Sequence, residues 1–166
     1  MTYNGAVCGE DHEELPALGF NCPDYANLVP VAERRKRVRI DDDLCVVDDE
    51  FFFVRVSLTI PIHDQDEDLH FGVWVSQRKD HFLSYVENFN ATDIGPFFGW
   101  LANDLQFGGE STLNLETMVH FMGSGLRPSI EIKESEHPLA VAFKKGVSLD
   151  QAWEIAHSYS GLVRMN

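Results

Sequence analysis

The alternation of apolar and polar residues is clearest between residues 44 and 62. An apolar run at 44–47 is followed by three acidic residues and then by a second run at 51–62, where Arg55, Ser57 and Thr59 alternate with aliphatic residues. A period of two is typical of a strand with one buried face. Because a short acidic turn separates the runs, the pattern predicts an antiparallel hairpin, which a strand at 71–76 extends into a three-stranded meander.

After residue 76 the apolar spacing becomes helical. Phe82, Tyr85 and Phe89 lie on one predicted helical face, and Ser148 is a good N-cap for a final helix containing Trp153. Further strands are predicted at 113–122 and 129–133, while the Gly/Pro-punctuated aromatic segment 95–101 is interpreted as a turn. Together these elements predict an α+β fold, with a single mostly antiparallel sheet packed by two helices.

The N-terminal third differs in character from the remainder of the chain. Residues 1–33 lack periodicity and are predicted to form an irregular N-terminal lobe, with residues 34–166 forming the α+β domain. A basic run at 33–40 is followed at once by three aspartates at 41–43. Such a run can attract nucleic acid. The neighbouring acids favour local salt bridges instead.

Charge limits the classes of partner. The chain has 166 residues and a formal net charge of -14, and the first 70 residues contain 16 Asp and Glu against 6 Lys and Arg. This surface repels nucleic acid and anionic membranes and favours a basic protein partner. The absence of a membrane-length apolar run or an export signal, together with an odd number of cysteines, predicts a cytoplasmic protein.

Five residues are candidates for ligand or partner binding. Arg55 and Arg127 can clamp a carboxylate or phosphate if both face one cleft, or they can pair with internal acids such as Asp43. His137, beside two glutamates, can act as a general base or be held by hydrogen bonds in a loop. Trp74 and Trp100 can line a pocket or pack in the core. No catalytic residue is assigned, because these types do not form a nucleophile or metal-protease motif.

A series of short motifs resembles one known family, the bacterial domain of unknown function 2199 (DUF2199). The motifs are Asp43-Leu-Cys-Val-Val-Asp, Phe53-Val-Arg, Ile60-Pro, Gly72-Val-Trp-Val-Ser, Phe98-Gly-Trp-Leu, Leu113-Asn-Leu-Glu-Thr, Gly125-Leu-Arg-Pro and His137-Pro-Leu-Ala. The resemblance spans nearly the whole chain and implies a bacterial cytoplasmic domain. It implies no activity.

The same resemblance raises the question of a metal in the N-terminal lobe. Members of that family commonly begin with Cys-x-x-Cys-Gly followed by His, whereas Gly5 stands here in place of the first cysteine. Cys8, His12 and Cys22 are then at most three of the four ligands that structural zinc normally requires. We therefore expect no cofactor and interpret the lobe as a degenerate zinc-knuckle-like segment.

Two classes of function remain after these exclusions. The first is a non-enzymatic protein-binding module, such as an inhibitor or immunity protein, that recognises a basic partner through its acidic N-terminal portion. The alternative is a small-molecule-binding domain or enzyme with a pocket built from Arg55, Trp74, Trp100, Arg127 and His137. The two differ in whether those side chains converge.

Overall fold

A computed structural model describes residues 3–4, 11–12, 15–91 and 93–159. The strands are β1 (Tyr3–Asn4), β2 (Asp11–His12), β3 (Leu18–Gly19), β4 (Val38–Ile40), β5 (Leu44–Val47), β6 (Phe51–Ile60), β7 (Leu69–Gln77), β8 (Phe97–Trp100), β9 (Glu116–His120) and β10 (Ser129–Ile132). The helices are α1 (Asp24–Asn27), α2 (Arg34–Arg37), α3 (Lys79–Glu87), α4 (Pro138–Lys145) and α5 (Leu149–Tyr159), with a 3-10 turn at Val31–Glu33.

The α+β class is confirmed, and the main sheet is mixed rather than simply antiparallel. Its strand order is β3-β7-β6-β10-β9-β8, with β5 pairing to β6 and β4 to β5. The β5-β6-β7 meander is antiparallel as predicted, but β10 lies parallel to β6 and β3 parallel to β7. Strand β10 is parallel to β6 because the chain leaves β7 and returns to the other edge of β6 through a long crossover that contains α3, β8 and β9.

The central strand β6 changes partner halfway along one edge. The Arg55 N–H donates to the Asp43 carbonyl at 2.9 Å, and the Ser57 N–H donates to the Pro128 carbonyl at 2.8 Å. The start of β5 and the start of β10 therefore meet beside Arg55. Alternate β6 residues such as Val56 belong to the main core on one face, whereas Phe53 belongs to a second apolar cluster.

Two arginines of the basic run at 33–40 pair with acidic residues in the turn of the β5-β6 hairpin. Asp48 and Asp49 have φ values of 57° and 54°, a conformation that aspartate tolerates better than most residues. Arg37 donates to both carboxylate oxygens of Asp48 at 2.7 and 2.9 Å, and Arg39 donates to Asp49. The interpretation as local salt bridges is confirmed, although the partners lie in the hairpin turn and not at 41–43.

The two predicted helices are present, and the structure adds a third of comparable length. At the start of α5, Ser148 and Gln151 cap each other, at 2.9 and 3.1 Å between backbone nitrogens and side-chain oxygens. The third is α4, where the sequence predicts a loop around His137-Pro138, although proline is well suited to the first helical turn. Segment 95–101, predicted as a turn, contains strand β8.

Residues 20–29 of the N-terminal lobe pack against the second apolar cluster. Ala26 and Val29 are buried in the second apolar cluster beside Cys45 and Trp74. Backbone bonds reinforce this contact, since the Phe20 N–H donates to the Gly72 carbonyl at 2.9 Å. This packing places α1 beside the start of β6 and beside β8, where the candidate binding surface lies. Among the described helices, none is long and apolar enough to cross a membrane.

Candidate functional site

An apolar pocket of about 290 Å³ opens between α1, the start of β6 and β8. We call it the aromatic groove and define it by Tyr25, Leu28, Phe51, Phe53, Trp100 and Leu113. The polar groups in its lining include Asp24, Ser76 and Asn114. The groove is thus a mainly apolar concavity bordered by a few hydrogen-bonding side chains, which is the usual composition of a recognition pocket.

The rim of the groove carries large apolar side chains that face solvent. Leu28 is 77% exposed and Trp100 is 44% exposed, and Tyr25, Phe51 and Leu113 are also exposed. The Tyr25 and Phe51 rings are in contact, with centroids 4.6 Å apart. Exposed apolar residues are ordinary when scattered, but a contiguous group around a pocket indicates an interaction surface.

The local sequence explains why these aromatics reach the surface. Three consecutive phenylalanines begin β6, and successive strand residues point to opposite faces. Phe52 therefore packs in the main core, while Phe51 and Phe53 lie at the groove. On the opposite side, the Trp100 N–H donates to Ser76 Oγ at 3.2 Å, which holds β8 against β7.

Helix α1 is held to the groove by a buried amide. Asn103 is fully buried, and its Oδ1 accepts a hydrogen bond from the backbone N–H of Trp74 at 2.8 Å. Its Nδ2 donates to the Cys22 carbonyl at 3.0 Å and to Asp24 Oδ1 at 3.1 Å. The other Asp24 oxygen accepts from the Asp104 N–H at 2.8 Å. These bonds fix the start of α1, and with it Tyr25 and Leu28, relative to β7.

A second group of polar residues lies where β5 and β10 meet along β6. Arg127 donates to Asp43 Oδ1 from Nε at 3.3 Å and from Nη2 at 3.2 Å. Arg55 is only 6% exposed, and its guanidinium lies 5.8 Å from the centre of the Trp74 ring. Its Nη1 donates to the Asp42 carbonyl at 3.4 Å. We call Arg55 and Arg127 the arginine pair, and Asp43 is its carboxylate partner.

Two buried donors beside this group have no acceptor within the described residues. They are Nε of Arg55 and the hydroxyl of Tyr85, which lies on α3. Burial, followed by the charge of Arg127, lowers the pKa of Arg55. Burial also raises the pKa of Tyr85 to about 12, and the Asp43 charge adds to that increase. Each shift reflects a polar group held in a poorly solvated site.

Of the other candidates, Trp74 lies beside Arg55, whereas Trp100 and His137 lie elsewhere. Trp74 is fully buried and donates from Nε1 to the Phe20 carbonyl at 2.9 Å. His137 caps α4, with Nδ1 accepting from the Leu139 N–H at 3.0 Å and Nε2 lying 2.8 Å from the Ser111 carbonyl oxygen. The structure thus groups Arg55, Trp74 and Arg127, but it places Trp100 in the aromatic groove and His137 at a helix terminus.

The predicted metal ligands are only partly within the described structure. Cys8 and the side chain of His12 lie outside the described residues, so that set stays a prediction. The Cys22 thiol donates to Asn27 Oδ1 at 3.4 Å, and burial raises its pKa. Elsewhere in the described chain, no three His, Cys, Asp or Glu side chains converge as metal ligands would.

Several residues of the two sites were not singled out from the sequence. Tyr25, Leu28 and Phe51 carried no motif, although a run of three phenylalanines in one strand must direct at least one ring to the outer face. Tyr85 was assigned to the apolar face of its helix, which is correct for its ring but not informative about its hydroxyl. Asp43 was considered only as one possible partner of an arginine.

Comparison with known proteins agrees with the resemblance inferred from the motifs. A family described as "Uncharacterized protein conserved in bacteria (DUF2199)" matches residues 4–147. The match includes both sites and all of the main sheet. No curated protein and no solved structure matches the chain.

Proposed function

The chain belongs to the DUF2199 family of bacterial proteins, and we propose that it is a non-enzymatic binding module for a basic protein. The aromatic groove is the observation that carries this proposal, because it combines exposed aromatic and aliphatic side chains with a preformed pocket. The module acts in the cytoplasm and needs no cofactor.

The groove has the composition of an interface centre. Aromatic side chains are enriched at such centres, where they fill pockets and contribute most of the binding energy. Trp100 and Leu28 present much of their surface to solvent and stand on different elements. An apolar anchor from the partner would insert between them and lose contact with water on both sides.

Net charge supports a basic partner. The chain carries -14 overall, and Glu50 is exposed and directly precedes Phe51, which lies at the rim of the groove. Opposite charge accelerates association and disfavours acidic competitors, while the apolar anchor contributes most of the lifetime of the complex. An inhibitor or immunity protein directed against a basic toxin has this combination of properties.

The test uses immobilised full-length protein and lysate from the native host at low salt, followed by direct titration of the purified partner. We expect a basic partner whose affinity falls about tenfold or more in Trp100→Ser and in Leu28→Ser. Raising the salt from about 50 mM to about 500 mM should slow association much more than it accelerates dissociation.

Leu83→Ser is the matched control. Leu83 lies on α3 and is 42% exposed, close to the exposure of Trp100, but it does not line the groove. The control should retain full affinity. If low-salt capture recovers no basic protein, or if the groove variants bind the partner as tightly as the control does, the proposal is wrong. Recovery of a second copy of the chain alone would identify the groove as a self-association surface and would also contradict it.

A further inference from the structure

Asp42 and Asp43 both lie near the arginine pair, but the hydrogen bonds that hold the pair are long. Two guanidinium groups, of Arg55 and Arg127, are close enough to influence each other, and Asp43 is the carboxylate that accepts hydrogen bonds from one of them. The shortest contact between that carboxylate and Arg127 is 3.2 Å. Charge-assisted bonds of this type are normally about 2.7–2.9 Å long. The pair is therefore loosely closed.

Arg55 has even less compensation. Its side chain is more than nine-tenths buried, its contact with a backbone carbonyl is 3.4 Å long, and its Nε has no partner within the described chain. A buried guanidinium normally satisfies its donors, because a buried donor without an acceptor is costly. The site therefore lacks an acceptor at its base.

The contact between Arg127 and Asp43 is accessible to solvent. The side chains of Arg127 and Asp43 are 31% and 37% exposed, so a small solute reaches them without unfolding of the sheet. The contact involves side chains alone, so it can open without breaking the backbone hydrogen bonds that join Asp43 and Pro128 to β6.

We propose that Arg55 and Arg127 form a binding site for a small carboxylate, and that Asp43 occupies this site until the ligand displaces it. Arg127 would provide the solvent-accessible guanidinium of the site. Arg55 would provide the buried guanidinium, whose Nε has no acceptor among the described residues. A carboxylate is favoured over other anions because the internal occupant is itself a carboxylate. The planar guanidinium matches its two oxygens with parallel hydrogen bonds.

The test follows the arginine Nε–H signals of the full-length protein by NMR during titration with sodium acetate. Sodium chloride at equal ionic strength is the control, and sodium phosphate forms a second arm. We expect acetate to shift the Arg55 and Arg127 signals with saturation, and chloride to leave them unchanged. A response to phosphate but not to acetate would overturn the assignment to carboxylates.

Variants separate a site from a general effect of charge. Asp43→Asn removes the internal competitor and should tighten acetate binding about threefold or more, whereas Arg127→Gln should weaken it about tenfold or more. Arg39→Gln is the control, because it removes the same charge from an exposed pair with Asp49. Circular dichroism verifies the fold of each variant.

Asp43→Asn decides the question if Arg127→Gln does not fold. The proposal is wrong if acetate and chloride act alike on the wild-type protein. It is also wrong if acetate binding is unchanged or weaker in Asp43→Asn, or if Arg39→Gln weakens it as much as Arg127→Gln does.

Discussion

Replacing Asn103 with alanine should lower the free energy of unfolding by about 3 kcal/mol. The side chain is fully buried and makes three hydrogen bonds, with the Trp74 N–H, the Cys22 carbonyl and Asp24 Oδ1. Each bond contributes about 1 kcal/mol, and a buried partner that is left unsatisfied adds to the loss. Alanine leaves the backbone groups of β7 and of the segment before α1 without these partners.

Urea denaturation followed by circular dichroism measures this change. The matched control is Asn88→Ala, which removes an amide bonded to the Ser84 carbonyl at an exposed position and should cost about 0.5 kcal/mol or less. Amide exchange should also accelerate around Ala26 in the Asn103 variant, since α1 loses its attachment to the sheet. A loss below about 1 kcal/mol would refute the role assigned to Asn103.

Three further predictions concern single side chains elsewhere. Burial raises the pKa of the Cys45 thiol to about 12. Iodoacetamide at pH 8 should therefore modify Cys45 only after unfolding, whereas half-buried Cys22 should react sooner. Mass spectrometry of the labelled protein measures the order of modification. The hydrogen bond from Arg37 lowers the pKa of Asp48. The stability that this ionised carboxylate contributes is present above its unfolded pKa of about 3.9 and is lost as pH falls through its folded pKa. The urea midpoint should therefore drop less steeply below about pH 4 in Asp48→Asn than in the wild type. In Gly99→Ala the new Cβ would lie 2.5 Å from a backbone oxygen of β7, and thermal unfolding should show a loss of about 2 kcal/mol or more; an unchanged melting temperature would contradict this close approach.

The elements that the sequence predicted well are those with local causes. The β5-β6-β7 meander follows from a period-two pattern interrupted by an acidic turn. Helix α5 begins directly after Ser148, because the residues that cap it lie within four residues of chain. Such signals act between neighbours, so tertiary contacts do not need to be known.

The elements that were missed depend on distant partners. Strand β8 contains a glycine and follows a proline, and it becomes a strand because β9 pairs with it and β7 accepts its close approach. Helix α4 begins at a proline, and the His137 side chain that caps it also contacts the carbonyl of Ser111, 26 residues away. Neither partner is visible in a window of local sequence.

The sequence by itself determined the fold class, the family and the acidic character of this protein, since these follow from local periodicity, spaced motifs and composition. Tertiary structure decided which candidates share a site. It joined Arg55 to Arg127 across the junction of β5 and β10, and it placed Trp100 in the aromatic groove and His137 at the start of α4. The physical reason is that neighbourhood across a sheet depends on strand order and register. These are set by long-range pairing and core burial and not by the residues adjacent in the chain.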